Sequence, residues 1–307
     1  MIALRGILLL LLIVLTACAE VDPCALSLVA KVPMESLHRL LFVPVGINGQ
    51  WATLLVDSGA ERTILSEQAV ARLGLRHDPR LISRSLGVGG MYVNADVTID
   101  HLVLGGTRMG VDHMAVGRLN LDIDGEAIAD GLLGADILLT FDLDIDVPGK
   151  TLSLYRARRC QEAVPPWDGP AVEITGVTTR KTRMLLPFQL DGTAGMGILD
   201  TGASATTIGI AMAERMGLTN DILVKDPSIQ HHGAGPNVAE GRLHRFQELR
   251  VGPAVIPRPR LSVMPGNTGI DDGLIGADFL QGRRVWMAFQ ARRLFVSPLA
   301  RETPFLP

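Results

Sequence analysis

Two stretches decide the reading of this chain: VDSGAERTILS at 56–66 and LDTGASATTIG at 199–209. Each places an Asp, a hydroxyl residue and a Gly directly after an apolar run, Thr53-Leu-Leu-Val56 in one case and Met196-Gly-Ile-Leu199 in the other. An isolated Asp-Ser-Gly is usually a turn. Two copies behind apolar strands, 143 positions apart, are a pattern to be tested against the rest of the sequence.

Working outward from them, the spacing persists. Pro44 matches Pro187, Asn48-Gly49 matches Asp191-Gly192, and Arg72-Leu-Gly-Leu75 is matched by Arg215-Met-Gly-Leu218. Further on, Asp130-Gly-Leu-Leu-Gly-Ala-Asp136 is matched by Asp272-Gly-Leu-Ile-Gly-Ala-Asp278, and Lys150-Thr-Leu-Ser-Leu154 by Arg292-Arg-Leu-Phe-Val296, at an offset of 142. An ordered series at a nearly constant offset is a duplication, and its period is that of a domain rather than of a solenoid unit. The halves run from 36 to 158 and from 170 to 300. Residues 159–169, which include Val164-Pro-Pro-Trp-Asp-Gly-Pro170 up to its penultimate position, form the linker. Residues 19–35 and 301–307 are tails.

Within each half the pattern is short apolar strands. Leu41–Ile47 and Met184–Leu190 end in Asn-Gly and Asp-Gly, which are hairpin turns, and the return strands run into the two Asp loops. Short helices are expected over Ser66–Leu73 and Ile210–Met216, stopped by Gly74 and Gly217. The class is all-β with minor helix.

The 307 residues are 47% hydrophobic and 20% charged, with a net charge of −3, which supports a globular core and gives no basic stripe for nucleic acid. At the N-terminus Arg5 precedes an apolar run from Ile7 to Ala17. The run is too short to span a bilayer and suits a signal-peptide core. It ends in Leu15-Thr-Ala-Cys18, which looks like a bacterial lipobox. Residues 1–18 are then a lipoprotein signal ending at the lipidated Cys18, and the mature chain is exported and membrane-anchored, facing the periplasm. An ordinary secretory signal is the alternative. Ala19, in place of Asp, points to the outer membrane in a Gram-negative cell. Export permits a Cys24–Cys160 disulfide; two unpaired thiols are the other reading.

The Asp loops and their surroundings resemble the retropepsin and pepsin superfamily of aspartic proteases. The loops look like its hydrophobic–hydrophobic–Asp–Thr/Ser–Gly signature, and GLLGAD (131–136) and GLIGAD (273–278) are similar to its later Gly-bearing strand, here Gly134 and Gly276. The resemblance implies two similar retropepsin-like (acid protease) β-barrel lobes with short helices and one active site between them. Leu86-Gly-Val-Gly-Gly90 and His232-Gly-Ala-Gly235 fall where retropepsins carry flap hairpins, so Gly87, Gly89, Gly90, Gly233 and Gly235 are flap candidates. Ala60 and Ala203 follow the Asp-Ser/Thr-Gly triplets, as in retropepsins.

By that resemblance Asp57 and Asp200 are the catalytic pair of an aspartic endopeptidase, and Ser58, Gly59, Thr201 and Gly202 support them. Two carboxyls roughly 3 Å apart cannot both ionise, so they share one proton and can act together on water and on a peptide carbonyl. Without a hydroxyl at Ala60 and Ala203 the pair should titrate higher than in pepsins, with an optimum between mildly acidic and neutral. A single chain then suffices for activity on a protein or peptide substrate, with no cofactor and no metal. A silent two-lobed peptide-binding lipoprotein of the same fold is the alternative.

Other constellations carry less. Gly87-Val-Gly-Gly90 lacks the last Gly of a nucleotide loop. Asn120-Leu-Asp-Ile-Asp-Gly125 opens like a calcium loop but has Gly131 where the twelfth-position Glu belongs. Asp142, Asp144 and Asp146 read as the wet face of a strand, and His231, His232 and His244 as solvated loop residues. Asp136 and Asp278 read as helix caps.

Overall fold

The computed structural model describes residues 26–119, 121–123, 126–157, 164–235, 237–264, 270 and 272–299. Cys18, Cys24, Cys160, the signal segment and the tail from 301 lie outside the described residues, as does part of the 120–125 stretch.

Each half opens on the expected hairpin. Leu40–Ile47 pairs antiparallel with Gln50–Val56, and Arg183–Leu190 with Thr193–Leu199. Asn48 and Gly49 both take positive φ (49° and 83°), as do Asp191 and Gly192 (47° and 79°), the two-residue turn whose twist matches the strands. Apolar alternation buries Leu41, Val43, Val45, Leu54 and Val56 in the first lobe and Leu186, Phe188, Leu190 and Leu199 in the second.

The strand that the GLLGAD and GLIGAD segments form is threaded into this frame. Gly131–Leu133 runs parallel to Gln50–Val56 and antiparallel to Ile64–Ser66. Gly273–Ile275 does the same between Thr193–Leu199 and Thr207–Gly209. Only glycine fits where the strands crowd: a Cβ at Gly131 would lie 2.1 Å from the Ile64 carbonyl oxygen, and one at Gly134 would lie 2.3 Å from that of Arg62. The result is one ten-stranded curled sheet per lobe. The helices Glu67–Arg72 and Ile210–Arg215 stand where expected.

A third, six-stranded sheet joins the lobes. At its centre Asp142–Asp146 of the first lobe pairs with Arg284–Ala288 of the second. Leu26–Pro33, placed by the sequence reading in an N-terminal tail, is instead its edge strand, paired with Thr151–Ala157. The cause is a buried face, Ala30 and Val32, which docks on the core of the first lobe.

This sheet also corrects the wet-face reading for Asp142 and Asp144, while Asp146 keeps partial exposure. Leu143 and Ile145 enter the core, and the opposite face is covered by the Trp167 side chain and the Trp286–Phe295 cluster, so Asp142 and Asp144 are only 2% and 1% exposed. Asp144 accepts two hydrogen bonds from Arg284, at 2.8 and 2.6 Å, and Arg284 stacks on the Trp167 ring at 4.6 Å. The linker thus contributes a packed residue rather than a loose tether.

Candidate active site

Both Asp loops reach the seam between the lobes, and each is fixed from behind. The Asp57 N–H donates to the Leu133 carbonyl (3.0 Å) and the Asp200 N–H to that of Ile275 (3.0 Å), so the threaded strand sets the height of each aspartate. The loops also hold each other. The Ser58 N–H donates to Thr201 Oγ1 (3.0 Å) and the Thr201 N–H to Ser58 Oγ (3.1 Å). The two hydroxyls donate onward, Ser58 to the Leu199 carbonyl (2.8 Å) and Thr201 to the Val56 carbonyl (2.6 Å). All four bonds cross between lobes, and both side chains are buried.

The carboxyl of each aspartate lies over the glycine of the other loop. A Cβ at Gly59 would fall 2.4 Å from Asp200 Cγ, and one at Gly202 would fall 2.3 Å from Asp57 Cγ. Asp57 Oδ1 accepts the N–H groups of Gly59 (3.0 Å) and Ala60 (2.8 Å), and Asp200 Oδ1 accepts that of Gly202 (2.9 Å). Each residue keeps partial exposure. Burial pushes the Asp57 carboxyl well above the carboxylate range, and the neighbouring Asp200 charge adds to the rise. Asp200 is raised by burial too, against the Gly202 N–H that favours its ionised form. The two carboxyls lie close enough to act on each other's ionisation, which is the arrangement of a pair holding one proton.

Gly87 and Gly90 close the hairpin Arg76–Gly87/Gly90–Thr98, and His232, Gly233 and Gly235 lie in the loop joining Ser228–His231 to Ala239–Arg245. The two tips meet. The Gly89 N–H donates to the Ala234 carbonyl (3.0 Å), and the N–H and side-chain amide of Asn237 both donate to the Gly89 carbonyl (3.0 Å each). The glycines permit this approach: a Cβ at Gly87 would lie 2.1 Å from the Ala234 oxygen, and Gly235 adopts φ of 126° against Gly89.

Several participants escaped the sequence reading. Asp136 and Asp278 do not cap their helices, whose N-cap positions are Gly134 and Gly276. Instead the Asp136 carboxylate accepts from the Thr63 N–H and hydroxyl, and Asp278 from those of Thr206, tying down the far end of each Asp loop. The repeat of Thr63 at Thr206 was the signal for this. The wall of the first lobe is apolar: Leu40, Ala60, Tyr92, Leu119 and Ile128 pack around Phe42 and Leu55. His231 and His244 stand on strands rather than in a solvated loop; His231 bonds Ser262 Oγ and His244 bonds Asp226, both at 2.6 Å. Among the described residues no group of side chains is arranged to hold a metal.

Two curled lobes with an Asp loop each, locked across a seam, define an aspartic-proteinase fold. An aspartyl protease family model matches residues 43–137 and again 186–279, more than half of the chain, and the chain belongs to that family. The structure is similar to that of the aspartic proteinase from Irpex lacteus, with a TM-score of 0.53 over 90% of this chain and 98% of that one. The identity is 14%, so that likeness is one of fold. A search of curated protein sequences gives no significant match.

Proposed function

We propose that this chain is an aspartic endopeptidase whose single site is the Asp57/Asp200 dyad. The observation that carries the reading is the pair of adjacent carboxyls, one from each lobe, each over the other loop's glycine and raised by burial. With one proton between them, the ionised carboxyl takes a proton from a water whose oxygen attacks the peptide carbonyl carbon. The protonated carboxyl gives its proton to the carbonyl oxygen. In the second half the tetrahedral carbon collapses, a proton passes to the amide nitrogen, and the C–N bond breaks. The proton belongs to the pair, so acid and base are not assigned to one residue each. The substrate lies extended in the cleft and bonds through its main chain. The Gly87–Gly90 hairpin and the segment 232–235 close over it and exclude water. One chain supplies both aspartates, so a monomer is sufficient.

We place the mature protein outside the cytoplasm, anchored by lipid on Cys18 and facing the periplasm, on the basis of the apolar run and the lipobox-like ending of residues 1–18. Loss of fatty-acid labelling on Cys18→Ser tests this.

The activity is tested by incubating the purified chain with a diverse peptide pool between about pH 4 and 8 and reading cleavage by mass spectrometry. Asp57→Asn and Asp200→Asn should each abolish it. Cleavage surviving either change sinks the dyad mechanism. Tight peptide binding without cleavage by the wild type identifies a silent binding lipoprotein of this fold instead.

A further inference from the structure

The two halves differ sharply at one place beside the carboxyls. In the entry hairpins Phe42 stands opposite Leu55, and Leu185 opposite Ile198. Two residues further along each pair of strands come Leu40 with Asp57, and Arg183 with Asp200. A step of two keeps a side chain on the same side of the sheet. In the first lobe this holds, for Leu40 packs with Phe42, Leu55 and Ala60. The matching cluster in the second lobe is Leu185, Ile198, Met196 and Ala203, and its counterpart of Leu40 is Arg183.

Arg183 is unusual in being unemployed. Its Nε is buried without a hydrogen-bond partner, and its side chain makes no hydrogen bond or ion pair with any described residue. Its charge nevertheless reaches the site: burial raises the Asp200 carboxyl, and the Arg183 guanidinium is among the groups that pull it back. A buried donor without a partner is rare in folded proteins and calls for a ligand or a function. A guanidinium presents paired N–H groups in a plane, and the group it matches is a carboxylate.

We propose, building on the peptidase reading, that Arg183 forms a carboxylate-recognising subsite on the second-lobe side of the cleft, so that substrates present a carboxylate there and an apolar residue to the Leu40 side. The carboxylate is either an Asp or Glu side chain next to the scissile bond or the free C-terminus of a short peptide. The two sources have the same chemistry at Arg183 but make different substrates.

Three peptide sets separate them: Glu-containing peptides with amidated ends, their Gln counterparts with amidated ends, and the Gln peptides with a free C-terminal carboxylate close to the cleaved bond. For the wild type, kcat/KM for one of the charged sets should exceed that of the neutral set by roughly 10- to 100-fold. Preference for the Glu set assigns a side-chain subsite, and preference for the free-ended set a C-terminal one. In Arg183→Leu, which restores the first-lobe residue, the ratio should fall towards about one. Arg183→Lys should keep part of it and stands in if the leucine variant does not fold. A wild-type ratio near one, or the same ratio in both variants as in the wild type, overturns the proposal. The same ratios measured as binding of labelled peptides to Asp57→Asn do not depend on turnover. Preferential binding without cleavage by the wild type would therefore remove the peptidase reading and leave the subsite standing.

Discussion

Ser58 and Thr201 hold each other across the seam, each backbone N–H donating to the other's hydroxyl, at 3.0 and 3.1 Å. The same hydroxyls satisfy the carbonyls of Leu199 and Val56, the residues just ahead of the two aspartates. Thr201→Val keeps the shape and removes the polar half of this exchange. It leaves the Ser58 N–H and the Val56 carbonyl buried without partners, a loss of about 2–4 kcal/mol in denaturant unfolding. Thr201→Ser should stay within about 1 kcal/mol of the wild type. Adding Ser58→Ala to Thr201→Val should cost less than the sum of the separate losses, because both act on one network.

The dyad links activity and stability with opposite signs. A carboxyl whose pKa is raised by folding is held protonated in the native state after the unfolded chain has ionised. Native stability therefore falls as pH rises past the ordinary carboxylate range and keeps falling until the raised pKa is reached. Asp57→Asn should abolish cleavage while making the protein more stable than the wild type at pH 7, with the difference closing near about pH 4. Thermal melts at the two pH values read this directly. A less stable variant at pH 7 would show that the carboxyl is not raised. The alkaline limb of the cleavage profile should lie in the mildly acidic to neutral range.

Arg284 and Asp144 join the lobes through their shared sheet, with Asp144 almost wholly buried and Arg284 about one-third exposed. Arg284→Ala strands the carboxylate and should cost about 2–4 kcal/mol. Replacing both, Arg284→Met with Asp144→Leu, should recover most of that loss, since the pair is exchanged for apolar packing. Equal unfolding midpoints for Arg284→Ala and the wild type would mean that Asp144 finds another partner.

Asp142 has a different environment from its neighbour two residues away. One of its oxygens is buried with no hydrogen-bond partner, and burial pushes its pKa up to about 6, partly offset by the Phe289 N–H. Its contribution is neutral below the unfolded pKa and becomes destabilising as pH rises towards 6. Asp142→Asn should match the wild type near about pH 4 and exceed it by about 1–3 kcal/mol at pH 8.

The ladder between Leu26–Pro33 and Thr151–Ala157 ends with Leu26 opposite Ala157. Cys24 precedes Leu26 by two positions, and Cys160 follows Ala157 by three. The described residues nearest to the two cysteines are therefore paired, and we propose the Cys24–Cys160 disulfide. Protein purified without reductant should then resist alkylation until reduced, and Cys160→Ser should lower stability by about 3–5 kcal/mol. Alkylation of two thiols without reductant would exclude the bridge.

The sequence made the duplication, the Asp loops and the hairpins legible because each is written locally. Asn48-Gly49 codes its own turn, and the apolar run before Asp57 codes its strand. What stayed hidden depends on a partner distant in the chain. Asp144 reads as solvated from its own strand, and only Arg284 and Trp167 reveal it as buried. Asp136 looks like a cap until Thr63 is brought beside it. Arg183 gives no local signal at all; it stands out only when the second half is laid on the first and Leu40 is found in its place. The edge strand at Leu26–Pro33 was missed for the same reason, since its alternation acquires meaning only beside Thr151–Ala157.

Joining the halves by a direct ladder between Asp142–Asp146 and Arg284–Ala288 has an evolutionary consequence. In a symmetric dimer every substitution is made twice, so a change that helps one wall of a cleft is forced on the other. A duplicated chain is free of that constraint. Each lobe can drift by itself while the seam keeps the common geometry, and a leucine on one side can face an arginine on the other. Asymmetric substrates become accessible to a scaffold that began with two equal halves.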